Sequence, residues 1–409
     1  MHRGSEGQSF GAASSAYSDR TCSAEETFRR IEPFLKTHGV TRLGRLTGLD
    51  NIGIPVWQAI SPNARSIVIN NGKGINDLDA KVSAAMEALE RTVAGTPVVK
   101  TITASRRQLT AEGTLADPLP SLIARGQQDI GDDEEIAWAE GYDVIADRRA
   151  FVPFSAITLD RTIAQSRFWQ SSDGLASGNV LPEAILHGLL ERIERDAEVL
   201  WDVSEPRLRM DACIDPASLE DPVLDGLVSK VTAAGLTLQM FDITSDIGIP
   251  VIVVLIGPGD MTKRRRHRYL DVIIGSGAHP SKVRAAIRAV TEAAQSRLTF
   301  ISGARDDIPP ENFTRDLPEH IRRSFEATPK PVRKAEADEP LPGGAEALLR
   351  RTIERMRAAG ITSAIALSLG DPSLPFAVAK VIVPQLENPI GERKRRFGYR
   401  AISKTLQLL

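Results

Sequence analysis

Two glutamate pairs with the same local sequence are the clearest candidates for chemistry in this chain. The pattern Glu-x-x-Glu-Arg begins at Glu87 and occurs again at Glu191. Residues three or four apart lie on one face of a helix, so each pattern would place two carboxylates side by side. Such like charges repel each other unless a cation compensates them. Two pairs therefore predict a site for a polyvalent cation, and ligands that are all oxygen favour a hard ion such as Mg2+.

The ordinary alternative is a solvated helix face with surface salt bridges, which is the commonest use of Glu and Arg on helices. The apolar neighbours of both pairs argue against it. Val82, Met86 and Leu89 surround the first pair, and Leu190 and Ile193 lie within the second pattern or beside it. Carboxylates on helices that are buried around much of their girth need partners. The repeated pattern in this setting therefore favours a functional site.

Several other chemistries fit these residues less well. A di-iron carboxylate bundle requires Glu-x-x-His on two helices, whereas the residue three positions after Glu87 or Glu191 is another glutamate. The six histidines are scattered singly, which argues against a mononuclear zinc site, and His187 is interpreted as a packed helix residue. No Gly-x-Ser-x-Gly elbow of a serine hydrolase is present.

Glycine-rich turns are the places where phosphate could bind. The sequence has no Walker-A motif, but Gly72-Lys73-Gly74 is a short basic glycine loop at a predicted helix start. Its amides and the Lys73 ammonium could meet a phosphate group. The stretch Gly275-Ser276-Gly277 is a weaker candidate, because many turns need glycine for backbone reasons alone.

Hydrophobic periodicity and capping signals indicate the elements that would hold these residues. Asn76 or Asp77 is the predicted N-cap of a long helix through Val93, and a second helix is predicted from about Pro182 through Leu200. Further helices are predicted at residues 281–298 and 348–359, and strands at 52–60, 66–69, 250–256, 364–367 and 378–383. Strands and helices alternate throughout, so we expect a mixed α/β (α+β) fold.

Composition limits the class of protein. The 409 residues include 42% hydrophobic and 25% charged residues, with a net charge of −2, so we expect a globular protein that does not bind nucleic acid. The longest apolar stretch, residues 247–256, is well short of the roughly 18 residues that cross a bilayer. The polar start has no apolar signal core, and a soluble cytoplasmic protein is expected. Neither of the two cysteines is assigned a role.

The chain is predicted to form one large domain that follows a flexible tail and contains a long surface loop. Residues 1–24 are mostly small or polar and predict a flexible N-terminal tail, which leaves residues 25–409 for the domain. Residues 305–344 are dense in proline and charge and predict a long surface loop. Basic runs at residues 263–268 and 393–396 would either dock an acidic peptide or partner or form plain solvated surface.

The order and spacing of the motifs resemble the YcaO superfamily, whose members use ATP to activate backbone amides of peptides. The resemblance is carried by residues 39–43, 47–56, 72–74, 83–91, 174–196, 275–279, 291–297 and 303–307. It implies a single YcaO-type domain whose nucleotide-binding motifs span residues 71–307, with the ATP site between the glutamate-bearing helices. One departure is Asp173, where the family more often has Asn before Gly-Leu-Ala.

The resemblance also implies a role for individual residues. The glutamates that would hold Mg2+ on the ATP phosphates are Glu87, Glu90, Glu191 and Glu194. The catalytic arginines would be Arg91, Arg195 and Arg297, and the nucleotide contacts would be Lys73, Ser83, Asn179, Glu183, Gln295 and Arg305. The magnesium site implied by the family coincides with the glutamate faces deduced from helical spacing.

The implied reaction makes an amide oxygen leave as phosphate. A nucleophile adds to the amide carbon, and the former carbonyl oxygen then takes up the γ-phosphoryl group of ATP. A Cys, Ser or Thr side chain of the peptide as nucleophile gives an azoline, whereas an external sulfur source gives a thioamide. Azoline-forming members commonly end in Pro-x-Pro-x-Pro, and this chain ends in Ser-Lys-Thr-Leu-Gln-Leu-Leu.

The thioamide branch is therefore the favoured expectation, with a peptide or protein substrate and a TfuA-type partner that delivers sulfur. An azoline-forming cyclodehydratase stays open as an alternative. A non-catalytic scaffold that only binds a peptide is a further alternative, although the complete glutamate set argues against it. A homodimer is a plausible assembly.

Overall fold

The computed structural model describes residues 17–261, 266–305, 307–332, 341 and 343–407. Within these residues the strands are β1 Arg42–Arg45, β2 Val56–Ile60, β3 Ile69–Lys73, β4 Thr101–Ala104, β5 Leu115–Ala116, β6 Ile136–Asp143, β7 Arg148–Pro153, β8 Leu175–Gly178, β9 Cys213–Ile214, β10 Leu236–Asp242, β11 Val251–Pro258, β12 Ile273–Ala278, β13 Ile365–Ser368 and β14 Ala377–Ile382.

Helices are spread along the chain between the strands, as expected for a mixed fold. The α-helices are α1 Ala24–Leu35, α2 Asp77–Gly95, α3 Arg106–Ala111, α4 Phe154–Ile157, α5 Leu181–Asp202, α6 Pro206–Asp211, α7 Pro222–Ala233, α8 Lys282–Ser302, α9 Glu319–Ser324, α10 Ala345–Ala358 and α11 Tyr399–Leu406. Short 3-10 helices are Thr47–Leu49, Pro120–Leu122, Pro216–Leu219, Tyr269–Asp271 and Pro310–Phe313. No helix of the described residues is both long enough and apolar enough to span a membrane.

The described strands form three sheets. The first is antiparallel with the order β1-β2-β3, and the second is antiparallel with the order β12-β11-β10-β9. The third has seven strands in the order β5-β7-β6-β13-β14-β8, with β4 paired to β6 as well. The mixed α/β class predicted from the sequence is confirmed.

Two strand–helix units pack in the same way. β3 packs against α2, and β12 packs against α8. The approach is so close that a Cβ added at Gly72 would lie 2.0 Å from the backbone nitrogen of Ala84, and one at Gly275 would lie 2.2 Å from that of Ala293. The glycines therefore serve backbone packing. The glycine loop predicted at Gly72-Lys73-Gly74 is corrected accordingly, because Gly72 and Lys73 belong to β3.

Helix α5 lies between two of the sheets. It packs against β8 and β14 of the seven-stranded sheet and against β12 of the four-stranded sheet. Leu189 and Ile193 on this helix join Phe241 and Val253 in one buried apolar cluster. Burial on several sides explains why apolar residues occur around most of this helix, and it brings α5 close to the strands that border the other two long helices.

The N-terminal and proline-rich segments are partly described. Residues 1–16 lie outside the described residues, so a flexible tail stays a prediction for them. Tyr17 and Asp19 contact the domain, through Asp221 for Tyr17 and through His279 for Asp19. Within residues 305–344 the described part includes α9, where the apolar Ile321 is buried in the main core cluster. Helix α9 was not predicted from the sequence, because the surrounding prolines and charges indicated a loop.

Candidate functional site

Helix α2 carries the first glutamate pair as predicted. The Asn76 side chain accepts a hydrogen bond from the backbone N–H of Asp79 and caps the helix, and Glu87 follows about three turns later. Glu87 forms an ion pair of 3.2 Å with Arg91. Glu90 is buried, and its carboxylate accepts a hydrogen bond of 3.0 Å from the Ser177 hydroxyl.

Helix α5 carries the second pair and holds it in a matching way. Glu191 accepts a hydrogen bond of 3.0 Å from the backbone N–H of Gly174. Glu194 is buried, and it accepts a hydrogen bond of 3.0 Å from the Ser276 hydroxyl on β12. The Arg195 guanidinium lies 3.0 Å from the same carboxylate. Each pair thus has one carboxylate fixed by a serine from a neighbouring strand.

The two pairs face each other closely enough to perturb each other's ionisation. Burial raises the pKa of Glu90 to about 8, and the negative charges of Glu87 and Glu191 add to the shift. Burial likewise raises the pKa of Glu191 to about 7, with further contributions from Asp173 and Glu194. Carboxylates crowded in this way are destabilised as anions, and a bound cation would relieve that cost.

The donor set fits Mg2+ on ATP phosphates. All four side chains are oxygen donors, and each keeps one carboxylate oxygen without a hydrogen bond to the described residues. Within the described part of the chain no three His, Cys, Asp or Glu side chains are grouped tightly enough to enclose a metal. Mg2+ needs no such cage, because it is usually held by one or two carboxylates together with phosphate oxygens and water.

A fifth glutamate belongs to the same region and was not singled out from the sequence. Glu292 on α8 forms an ion pair with Lys73 on β3 and lies 3.9 Å from Arg195. Burial alone would raise the pKa of Glu292, but Lys73 and Arg195 hold it below its usual value. The predicted phosphate contact Lys73 therefore lies at the site, with its ammonium already paired with an acid.

A buried lysine that sequence analysis also missed supports the loop beside Glu191. The Lys380 ammonium on β14 donates hydrogen bonds of 2.8 Å to the backbone oxygens of Ser171 and Asp173. Burial lowers the pKa of Lys380 to about 8, although the nearby acids Asp173 and Glu191 counteract the shift. Its signal in the sequence was one lysine within the otherwise apolar strand β14.

Asn179 and Glu183, predicted as nucleotide contacts, lie where α5 begins, and both already have protein partners. The Glu183 carboxylate accepts hydrogen bonds from the backbone N–H groups of Thr21 and Asn179 and forms an ion pair of 3.4 Å with Arg20. The Asn179 side chain accepts a hydrogen bond of 2.9 Å from the Thr27 hydroxyl. These two residues therefore join the N-terminal segment to the start of α5.

The other predicted residues divide into two groups. Ser83 lies on the glutamate face of α2, and Gln295 lies one turn beyond Glu292 on α8, so both face the site. Among the described residues, the ion pair of Arg297 is with Asp50 and not with one of the four paired glutamates. Arg297 lies on another face of α8, where its Nε is 3.3 Å from the carboxylate of Asp50, whose side chain is buried.

Arg305 and Arg91 both lie near a third cation, Arg161. Burial lowers the pKa of Arg161, and the positive charges of Arg91 and Arg305 contribute to that shift. Asp307 compensates part of this charge, with ion pairs to Arg305 and, at 3.8 Å, to Arg161. Arg161 was not predicted from the sequence, because it lies in an irregular segment without a recognisable motif.

Comparison with known families and sequences finds one family and several similar proteins. Residues 71–387 match the family described as YcaO cyclodehydratase, ATP- and Mg2+-binding. An uncharacterised protein in the tfuA 3′ region of Rhizobium leguminosarum bv. trifolii is 38% identical over 404 residues, covering 96% of this chain and 94% of that protein. An uncharacterised protein of Methanothermobacter thermautotrophicus is 34% identical, covering 88% of this chain and 93% of that protein.

Solved structures show the same fold. A YcaO protein from Methanopyrus kandleri bound with AMPPCP and Mg2+ has a TM-score of 0.68 at 22% identity, covering 93% of this chain and 95% of that one. A heterocyclase in complex with substrate and cofactor has a TM-score of 0.72 at 21% identity. That match covers 90% of this chain but only 53% of the heterocyclase, so this chain spans about half of that protein.

Proposed function

Since the chain belongs to the YcaO family of ATP- and Mg2+-binding cyclodehydratases, we propose that it phosphorylates a peptide backbone amide and exchanges the amide oxygen for sulfur. It is an ATP-dependent peptide-modifying enzyme. The thioamide product, the TfuA-type sulfur-delivery partner and the roles of individual residues are the parts that we propose. ATP and newly made peptides are both present in the cytoplasm, where we place the reaction.

The observation that carries the proposal is the pairing of two glutamate faces across α2 and α5. Burial and mutual repulsion raise the pKa values of Glu90 and Glu191, so the arrangement favours a bound cation over an empty site. We assign Mg2+ binding to Glu87, Glu90, Glu191 and Glu194, with one or two of these carboxylates on each ion and phosphate oxygens and water completing its shell. When bound, Mg2+ would offset negative charge on the phosphates of ATP.

The cations around the glutamates would act on the phosphate groups. Arg91 and Arg195 form ion pairs with glutamates of the two pairs, so we expect their guanidinium groups to offset the charge that develops during phosphoryl transfer. Lys73 would release Glu292 in part to contact a phosphate oxygen. Arg161 and Arg305 form a second group of positive charge beside Arg91. Arg297 has no part in this proposal, because it is engaged with Asp50.

The chemistry balances as an exchange of oxygen for sulfur. Hydrosulfide, or its equivalent on a carrier protein, adds to the amide carbon, and the carbonyl oxygen becomes an alkoxide. That oxygen forms a bond to the γ-phosphorus while the bond from phosphorus to ADP breaks. The carbon–oxygen bond then breaks, the S–H proton is lost, and the products are a thioamide, ADP and inorganic phosphate.

One observation supports sulfur as the nucleophile. The relative that is 38% identical is encoded in a tfuA 3′ region. The second candidate is an azoline-forming cyclodehydratase, which is favoured by the family description itself.

Product mass distinguishes the two candidates. The enzyme is incubated with a candidate peptide, ATP, Mg2+, sulfide and a TfuA-type protein, and the peptide is then weighed by mass spectrometry. We expect a gain of about 16 Da that requires sulfide, because sulfur replaces oxygen. A loss of about 18 Da without sulfide would instead establish cyclodehydration, and the absence of any product or ATP turnover would favour a non-catalytic scaffold.

A further inference from the structure

Helix α11 exposes its apolar side to solvent, whereas a surface helix normally buries that side. Tyr399, Ile402 and Leu406 lie on one face at helical spacing, and they are 83%, 49% and 64% exposed. The opposite face carries the charged Arg400 and the buried Ala401. An amphipathic helix that packs by its polar side leaves an apolar stripe in water, which is typical of an interaction surface.

This orientation is built into the structure. The guanidinium of Arg400 forms an ion pair of 3.0 Å with the fully buried Asp196 on α5. The buried Glu387 caps the helix, because its carboxylate accepts hydrogen bonds of 2.7 and 2.8 Å from the backbone N–H groups of Gly398 and Ala401. Rotation of the helix to bury the stripe would leave the buried carboxylate of Asp196 without its ion-pair partner Arg400.

The segment that precedes the helix is strongly basic. Lys394 and Arg395 share the single carboxylate of Asp129, at 3.2 and 3.7 Å. Arg396 stacks on the ring of Phe397, 4.9 Å from its centroid. We use the name C-terminal patch for the surface of Arg395, Arg396, Phe397, Tyr399, Ile402 and Leu406. It combines an apolar stripe with positive charge that nearby acids compensate only in part.

The positive charge of the C-terminal patch indicates which kind of partner it binds. A second copy docked by a two-fold axis would bring Arg395 and Arg396 toward the same residues of its partner, so repulsion disfavours that dimer. The two longer undescribed segments do not have the composition to cover it either. Residues 1–16 contain Phe10 as their one aromatic residue, and residues 333–340 contain no large apolar side chain.

We propose that the C-terminal patch docks a separate protein whose contact surface combines acidic and apolar side chains. The inference rests on the proposed function, which requires a second protein to deliver sulfur, and it adds the place and chemistry of that contact. Because Arg400 and Glu387 connect the patch to α5, the docked protein sits directly behind the helix that carries Glu191 and Glu194.

Binding of a purified TfuA-type protein to the full chain tests the proposal by isothermal titration calorimetry. We compare the wild type with a Tyr399→Ser, Ile402→Ser variant and with an Arg395→Glu, Arg396→Glu variant. Leu208→Ser on α6 is the matched control, because Leu208 is also exposed, at 46%. Both patch variants should bind at least about tenfold more weakly, and the charge variant should lose salt dependence, whereas the control should match the wild type.

Three results would overturn the proposal. These are equal affinity of all variants, no binding by the wild-type chain, or a wild-type homodimer that the patch variants convert to monomer. ATP binding by each variant checks that α5 is intact. This test can fail independently of the proposed function. If the enzyme forms a thioamide but the patch variants bind the TfuA-type protein as tightly as the wild type, only the docking site is refuted. If the patch variants bind more weakly but the product is an azoline, only the assignment of sulfur as the nucleophile is refuted.

Discussion

The backbone N–H of Gly174 donates a hydrogen bond of 3.0 Å to Glu191, so a loop glycine fixes one of the four paired glutamates. The same residue is held from β14, because its backbone oxygen accepts a hydrogen bond of 2.7 Å from the N–H of Val381. Gly174 has a φ of 74°, and an added Cβ would lie 2.1 Å from the Val381 oxygen. Only glycine fits this position, and the loop acts as a rigid support for Glu191.

Replacing Lys380 with methionine should weaken that support. The substitution leaves the backbone oxygens of Ser171 and Asp173 without their donor in a buried setting, which should cost about 3 kcal/mol in the free energy of unfolding. As a positioning residue, Lys380 should also affect the KM for Mg2+–ATP, which we expect to rise. Steady-state ATP hydrolysis measures it, with the exposed Lys100→Met as control. A less stable variant with an unchanged KM would mean that Lys380 is only structural.

Glu191→Gln should separate metal binding from folding. An amide oxygen can still accept the hydrogen bond from Gly174, so the fold should persist. Loss of the negative charge should lower Mg2+-dependent ATP turnover by about 100-fold, as expected when charge stabilisation in the transition state is removed. Glu319→Gln, on the exposed surface of α9, is the control and should keep full turnover. Equal turnover in both variants would exclude Glu191 from the metal site.

Helical spacing was sufficient to find the four paired glutamates, because both pairs repeat one pattern on buried helices. It was not sufficient for Glu292, a single acid on its helix whose partner Lys73 lies 219 residues away. The resemblance predicted Arg297 at the site, whereas in the structure Arg297 forms an ion pair with Asp50. Which strands become neighbours, such as β8 and β14, depends on contacts between distant segments that local patterns do not specify.

Alanine at Gly275 should destabilise the protein strongly. The new Cβ would lie 2.2 Å from the backbone nitrogen of Ala293, and neither backbone can move easily, so we expect a cost of about 3 kcal/mol. Gly226→Ala is a matched control within α7, where nothing lies within 4 Å, and it should gain up to about 1 kcal/mol from helix propensity. Urea unfolding measures both. Similar stabilities of the two variants would contradict the close strand–helix packing.

Glu183→Gln should loosen the N-terminal segment. The amide can no longer accept hydrogen bonds at both of its ends, so the contacts with Thr21 and Arg20 weaken. Trypsin should then cleave after Arg20 roughly tenfold faster, because proteolysis follows the population of the open segment. Mass spectrometry of a time course gives the rate. Glu205→Gln, at an exposed position before α6, should cleave at the wild-type rate, and an equal rate in Glu183→Gln would argue against this anchoring role.

Transfer of the amide oxygen to phosphate is the central claim, and it holds for either product. A substrate peptide labelled with 18O at the modified carbonyl is converted in unlabelled water with ATP and Mg2+, and the released phosphate is analysed by 31P NMR. O-phosphorylation predicts one 18O atom in the phosphate for each modified amide. Phosphate that carries only unlabelled oxygen, formed together with modified peptide, would show that ATP hydrolysis and amide activation are not joined through that oxygen.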